Sequence, residues 1–451
     1  GSATAYTGAP IGGAKVQWRV VREIRFPAWW LRRSLGLPPF YRRSQEIAHG
    51  VSTTGADGTF TIRFDAKPDP EAPPESEPIF RFSIHADVTD STGENRSSSR
   101  VVKLGYAALV ASLTADDWLS ADEPVELRVQ TKTIDGEPSA AKGQVTSFAV
   151  EQPDEIARPA LGPCQWEPFG PDVPPEPKDP NPSNPDTWPL GDLVHETDFE
   201  TDASGTTTIS AKLPVGLYRV RLASVDAFEK KVTTELPITV IDPDANNLAI
   251  KIPEFFASEK ETLEPGERYL GVWGSGYESA RVFVEVEHRG KVLQRYWTNP
   301  NVTQTRIVQA INERMRGGFH VHTTMVRENR AYTRSQHVKV PWSNKELNLK
   351  WERFVSKLEP GAKEVWTVIV SGPDNEGAVA EMVATLYDAS LDAFRSNNWP
   401  SLMQVFRRGR SSMRVRFDNR MEFLRQMIHN WSVDSRDASL MYRSLPYSHS
   451  H

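Results

Sequence analysis

The sequence contains a single cysteine, Cys164, among 451 residues. One thiol excludes an internal disulfide framework and a cysteine-based zinc cluster. It leaves the redox compartment open, because large domains fold without disulfides. No run of apolar residues is long enough to cross a bilayer as a helix. Excess charge of one sign is also missing: 53 Lys and Arg face 59 Asp and Glu, a net charge of −6, which gives no overall case for nucleic acid. Three catalytic signatures are absent: the Gly-x-Ser-x-Gly elbow, the Gly-rich phosphate loop with its Lys, and His-Glu-x-x-His. The chain opens Gly1-Ser2 without an initiator Met. This reads as a cloning remnant, so the natural N-terminus and any targeting signal are expected upstream.

What the sequence does have is proline, 34 residues against 28 glycines. Apolar and polar residues alternate in short stretches, and that period points to strands. Such stretches are Lys15 to Ile24, Thr59 to Phe64, Val125 to Thr131, Tyr218 to Ala223, Ala280 to His288 and Val365 to Val370. Asp57-Gly58, Asp135-Gly136, Ser204-Gly205 and Arg289-Gly290 fall between strands and supply the positive φ that tight hairpins need.

The elements recur in order. Gly8-Ala-Pro10 precedes Ala14 to Trp18, as Gly136-Glu-Pro138 precedes Lys142 to Val145. A Pro-containing turn opens a strand at Leu119 to Pro124, Leu263-Glu-Pro-Gly-Glu267 and Leu358-Glu-Pro-Gly-Ala362, and reads as a stiff type II turn. These marks divide the chain into four units: 1–104, which lacks its opening strands and carries a basic insert at 25–50; 105–241, with a Pro-rich insert at 153–190; 242–342; and 343–451, which ends in a helical segment. The predicted fold is all-β, a tandem array of antiparallel, immunoglobulin- or fibronectin-like β-sandwiches with a short C-terminal helix. In the basic insert Trp29 and Trp30 are expected to anchor a short helix. Pro153 to Pro189 holds 12 prolines and is acidic, so an extended, poorly ordered or polyproline-like excursion is expected there. Met421, Leu424, Met427, Ile428 and Trp431 recur at helical spacing, with Asp418 as N-cap.

The sequence resembles the macroglobulin-like domains of bacterial α-macroglobulins. The likeness lies in Gly8-Ala-Pro10 to Trp18, in Ala107 to Leu113 through Val129, and in Val365 through Asp388-Ala-Ser-Leu-Asp-Ala-Phe394. It covers nearly the whole chain outside the Pro-rich insert. The resemblance implies a secreted, periplasmic or cell-envelope protein that traps or inhibits proteases. Its partners would be proteins, endopeptidases among them, with no cofactor. The family's thioester motif, Cys-x-Glu-Gln, is absent, since Cys164 is followed by Gln165-Trp-Glu167. The chain therefore looks like a thioester-less middle segment. Thioester-less relatives make a structural or adhesive envelope protein the alternative.

Few residues suggest local chemistry. Arg407, Arg408, Arg410, Arg414 and Arg416 sit among Gly and Ser, the composition of a segment cut by trypsin-like proteases, a candidate bait. A basic surface strand is the plainer reading. His320 and His322 share a strand face, as two metal ligands would, although a satisfied or solvated pair needs no metal. Glu285 and Glu287 also share a face, and a polysaccharide-active enzyme would need such acids in a cleft. Gly271 to Gly276 lies in strand-rich sequence unsuited to a nucleotide. Cys164 reads as a loop cysteine, and Trp273, Trp297, Trp342, Trp351 and Trp366 as core or junction residues. Arg32 to Arg43 reads as a solvated basic face.

Overall fold

The computed structural model describes residues 1–5, 8–33, 44–161, 182–355, 361–373, 380–385, 406, 408–411 and 419. The helix expected from Met421 to Trp431, Cys164, Ser34 to Arg43 and Asp388 to Phe394 lie outside the described residues.

Alternating side chains produce the first sheet. It contains β1 (Lys15–Arg25), β2 (Gln45–Thr53), β3 (Ile79–Thr89) and β4 (Asn95–Gly105), in the antiparallel order β2-β1-β3-β4. Val20 and Ile24 of β1 and Phe80 and Phe82 of β3 form one apolar face. That face is covered by Phe26, Ala72 and Phe64 rather than by a second sheet. The stretch Thr59 to Phe64, expected as a strand, forms only an isolated bridge from Thr59 to Ser2. Its ladder stops because residues 1–5 offer it few partners: Ala3 N–H donates to Gly58 and Phe60 N–H to Gly1. The basic insert holds α1 (Ala28–Arg33), where Trp30 stacks on Phe26 with centroids 4.6 Å apart. Trp29 and Trp30 line a cleft with Thr233 and Glu235, so α1 sits against the following unit.

The second unit is a sandwich. Strands β5 (Leu109–Thr114), β6 (Val125–Thr133), β7 (Lys142–Val150), β8 (Leu190–Glu200), β9 (Thr206–Ala211), β10 (Gly216–Val225) and β11 (Lys231–Val240) form two sheets, β5-β6-β9 and β11-β10-β7-β8. Inward residues of both sheets share one core, among them Leu127, Val129 and Ala211 from one and Val145, Val220 and Leu222 from the other. Tyr218 donates its hydroxyl to the Pro214 carbonyl at 2.9 Å, the corner bond that pins the start of such a strand.

The third unit repeats this plan. Strands β12 (Phe255–Ser258), β13 (Arg268–Gly274), β14 (Phe283–His288), β15 (Lys291–Trp297), β16 (Gln304–Ala310), β17 (Phe319–Arg327) and β18 (Arg330–Val338) give sheets β12-β13-β16 and β15-β14-β17-β18. Tyr269, Trp273 and Ile307 meet Val284, Val286, Phe319 and Val321 between them. Ladder pairing begins at Phe283 rather than Ala280, because Ala280 and Val282 bond instead to Pro300 and Thr298 of the loop after β15. After this unit β19 (Asn348–Arg353) and β20 (Thr367–Ser371) form a hairpin.

Turn chemistry follows one rule. Asp57, Asp90 and Asp202 each accept from the backbone and hydroxyl of the residue two ahead, Thr59, Thr92 and Ser204. These donors hold all three carboxyls below the ordinary Asp value. Gly266 takes φ 97° in Leu263 to Glu267, as a type II turn requires.

Among the described residues, both polar and apolar contacts join the first three units. Glu77 accepts from the Thr233 N–H at 2.9 Å and from its hydroxyl at 2.6 Å. Between the sandwiches, Trp188, Ile241, Leu248, Ile250 and Val272 form a small core of their own. The insert is anchored at both described ends. Ile156 packs on the third core, and the Pro159 carbonyl accepts from Arg330 at 2.7 Å. Trp188 Nε1–H donates to Pro182 at 2.7 Å. At 153–161 and 182–189 the chain lies against neighbouring surfaces, without strand or α-helix.

Tyr218→Phe is expected to lower unfolding free energy by about 1 kcal/mol, the net worth of one hydrogen bond. Leu222→Ala, at a fully buried position, should cost ~2–5 kcal/mol. Urea denaturation monitored by tryptophan fluorescence would measure both.

Candidate functional site

Polar side chains converge on the outer face of the β15-β14-β17-β18 sheet. Register sets Glu287 of β14 opposite His320 of β17, and His320 opposite His337 of β18. His322 shares their face, since strand side chains alternate, while Phe319 and Val321 point into the core. The His320 ring lies 4.7 Å from that of His337 and 5.8 Å from that of His322. Glu287 is 1% exposed, and a carboxylate so deeply buried needs partners. His322 Nε2 lies 3.0 Å from its Oε2, and the Ser411 hydroxyl donates to the same oxygen.

Ser411 belongs to a short piece of chain laid across this sheet. Gly409 N–H donates to the Gly317 carbonyl at 2.6 Å. Gly409 is buried, and a Cβ there would collide with the Gly318 carbonyl oxygen, so only glycine permits the approach. Phe406 stacks on Trp342 at 5.4 Å, and the Arg289 guanidinium lies 5.8 Å from the same indole. The Asn419 side chain accepts from Ala331 N–H at 2.9 Å and donates to its carbonyl at 2.8 Å, imitating one rung of a ladder.

The arrangement is a clasp. In a hydrolytic relay the imidazole stands between nucleophile and acid. Here the acid stands between the other two: serine and imidazole both reach one Glu287 oxygen and lie 3.4 Å from each other. No set of three or more His, Cys, Asp or Glu with the geometry to hold a metal occurs among the described residues. Burial pulls His320 below the ordinary His value, helped by His337 and His322 and opposed by Glu287. Burial does the same to His337, aided by Lys339 and Arg408, while Gly317 and Glu261 oppose it.

Of the candidate bait arginines, Arg408 and Arg410 are exposed on either side of buried Gly409. Arg407, Arg414 and Arg416 lie outside the described residues. Glu285 and Glu287 do share a face, opposite His322 and His320. Gly271 and Gly274 lie within β13, and no helix follows. Two tryptophans differ from expectation. Trp273 is core, but Trp297, on an outward sheet face, is 55% exposed under the Arg281 guanidinium, and Trp351, in a strand exposed along its length, is 54% exposed against Phe354. Sequence reasoning located the histidine pair and missed His337 and Ser411. Alternation assigns each residue to a face, but only register and long-range docking bring four distant segments together.

No family model matches the chain, and no curated protein matches it. Among solved structures it is similar to the native conformation of E. coli alpha-2-macroglobulin, at TM-score 0.32 and 12% identity over 82% of this chain and 23% of that one. It is similar to Salmonella alpha-2-macroglobulin reacted with methylamine, at TM-score 0.31 and 13% identity over 83% and 24%. A tetra-tandem repeat from the extending region of a large adhesion protein gives TM-score 0.18 and 12% identity over 76% and 71%. The chain spans 23% and 24% of the length of these two macroglobulins. At such scores the fold rests on the sheets themselves.

The lowered histidines set the sign of a pH effect. The unfolded chain takes up protons near the ordinary His value of about 6.5, before the folded chain does, so stability is full above that pH and falls as pH drops through it. Replacing His320 and His337 with Gln should flatten the fall. Urea midpoints between pH 5 and pH 8 would measure it, and an unchanged slope would remove the histidines as its source.

Proposed function

We propose that this chain is a non-catalytic scaffold segment of a bacterial α-macroglobulin-like protein of the periplasm, cell envelope or extracellular space, serving protease trapping. Four units, 1–104, 105–241, 242–342 and 343–451, make up the scaffold. The motifs quoted above support the family reading. The observation that carries the trapping role is the Arg-bearing piece at 408–411, which presents Arg408 and Arg410 to solvent while Gly409 and Ser411 hold it to the third sandwich. A trypsin-like protease would find two cleavable positions on a segment whose release alters the surface beneath. Phe406, Arg407, Arg414 and Arg416 extend the same candidate bait.

One observation favours the alternative, a structural or adhesive envelope protein. The segment is held by a stack, a backbone bond, a clasp and an amide pair, and proteases prefer chain that is free to extend. Limited trypsin digestion separates the readings. The trapping role predicts first cuts at Arg408 or Arg410, and loss of endopeptidase activity when the full-length parent protein is incubated with the enzyme. First cuts elsewhere, with enzyme activity unchanged, would favour the adhesive reading.

A further inference from the structure

The outer edges of the three four-stranded sheets differ in how they are closed. An edge strand carries unpaired N–H and C=O groups that recruit other strands unless a bulge, a proline or a cover prevents it. In β2 the register shifts opposite Val20 and Val21. Two shifts interrupt β8 and one interrupts β15. Pro237 sits in β11, where the alternation of the ladder points its nitrogen outward, and Glu77 occupies the Thr233 N–H of the same edge. Asn419 occupies Ala331 on β18. Only β4 lacks a register shift, a proline and a bond from a covering segment to its outward backbone groups among the described residues; its guards are the charges Arg96, Arg100 and Lys103, and Lys103 Nζ reaches the Ile134 carbonyl near its end.

Strand β4 pairs with β3 without a shift from Asn95 to Gly105, and it contains no proline. The bond from Asp90 N–H to the Glu94 carbonyl fixes the alternation. Ser97, Ser99, Val101 and Lys103 therefore direct their backbone groups away from β3. Side chains of the strand carry information too. Leu104 and Val102, opposite buried Phe80 and Phe82, continue the core row outward yet remain 42% and 37% exposed. Arg100 and Arg96 follow on the same face, opposite Ile84 and Val88. The strand holds Arg96, Arg100 and Lys103 and no acid, so a second copy laid against it would meet like charge.

We propose that β4 is a strand-addition site for an extended segment of a partner protein. The segment runs antiparallel, with apolar side chains beside Leu104 and Val102 and acidic ones beside Arg100 and Arg96. Backbone bonds supply affinity, and the apolar-then-acidic pattern supplies selection. Arg96 forms an exposed pair with Glu94, which an incoming carboxylate can replace. This inference stands apart from the protease reading and survives its failure.

The test uses a fluorescein-labelled peptide, Val-Thr-Val-Thr-Glu-Thr-Thr-Thr-Glu, and fluorescence anisotropy with the whole chain. Saturable binding that weakens with added salt is expected. Val101→Pro removes an outward donor without touching the β3 ladder and should weaken binding about tenfold or more. Arg100→Glu should weaken it by about tenfold while leaving the backbone intact. Unchanged circular dichroism and urea midpoints would show that both variants fold. The proposal is overturned if the peptide fails to bind, if Val101→Pro binds it equally well, or if the same peptide with Lys in place of Glu binds as tightly. A concentration-dependent dimer abolished by Val101→Pro, with no peptide binding, would assign the edge to self-pairing instead.

Discussion

The structure depends on keeping backbone hydrogen-bonding groups paired while apolar side chains leave water. In strands both demands are met by one geometry, because ladder bonds run sideways and side chains alternate up and down. A sheet with one apolar face must then find a second layer. The second and third units find it in a three-stranded sheet, and their cores are shared between the facing sheets. The first unit solves the same problem with loop segments, Phe26 and α1. It leaves the outermost strand, β4, beyond the reach of that cover.

Much of this is legible in the sequence. Alternation locates β1 and β6, because those strands have one wet face and one dry face. The Gly dipeptides mark turns, because Gly58, Gly136, Gly205 and Gly290 all take positive φ. The errors have a common cause. Thr59 to Phe64 alternates correctly but lacks a neighbour of matching length, and a strand is a property of pairs. Alternation also continues through Ala280 to Val282, where loop partners take the bonds. Residue type alone assigns Trp297 and Trp351 to core or junction, but an aromatic on an outward face can be held by an arginine or another ring.

The clasp is less legible than the fold. His320 and His322 can be placed together because they are two residues apart. Glu287 can be placed on a face but not beside them. Register between β14 and β17 depends on how the whole sandwich packs, and no local pattern encodes it. Ser411 and Gly409 are harder still, since they reach the sheet from outside it. Gly317 and Gly318 are the one local hint, because consecutive glycines often mark close approach of another backbone.

The strap at 151–161 has a mechanical consequence. It leaves β7 of the second sandwich, bonds to Lys251 and Arg330 of the third through Gln152 and Pro159, and the chain later rejoins the second sandwich at β8. Any swivel about the peptide between Ile241 and Phe255 must shear these attachments along with the small core around Trp188. These attachments couple the orientation of one sandwich to that of the next.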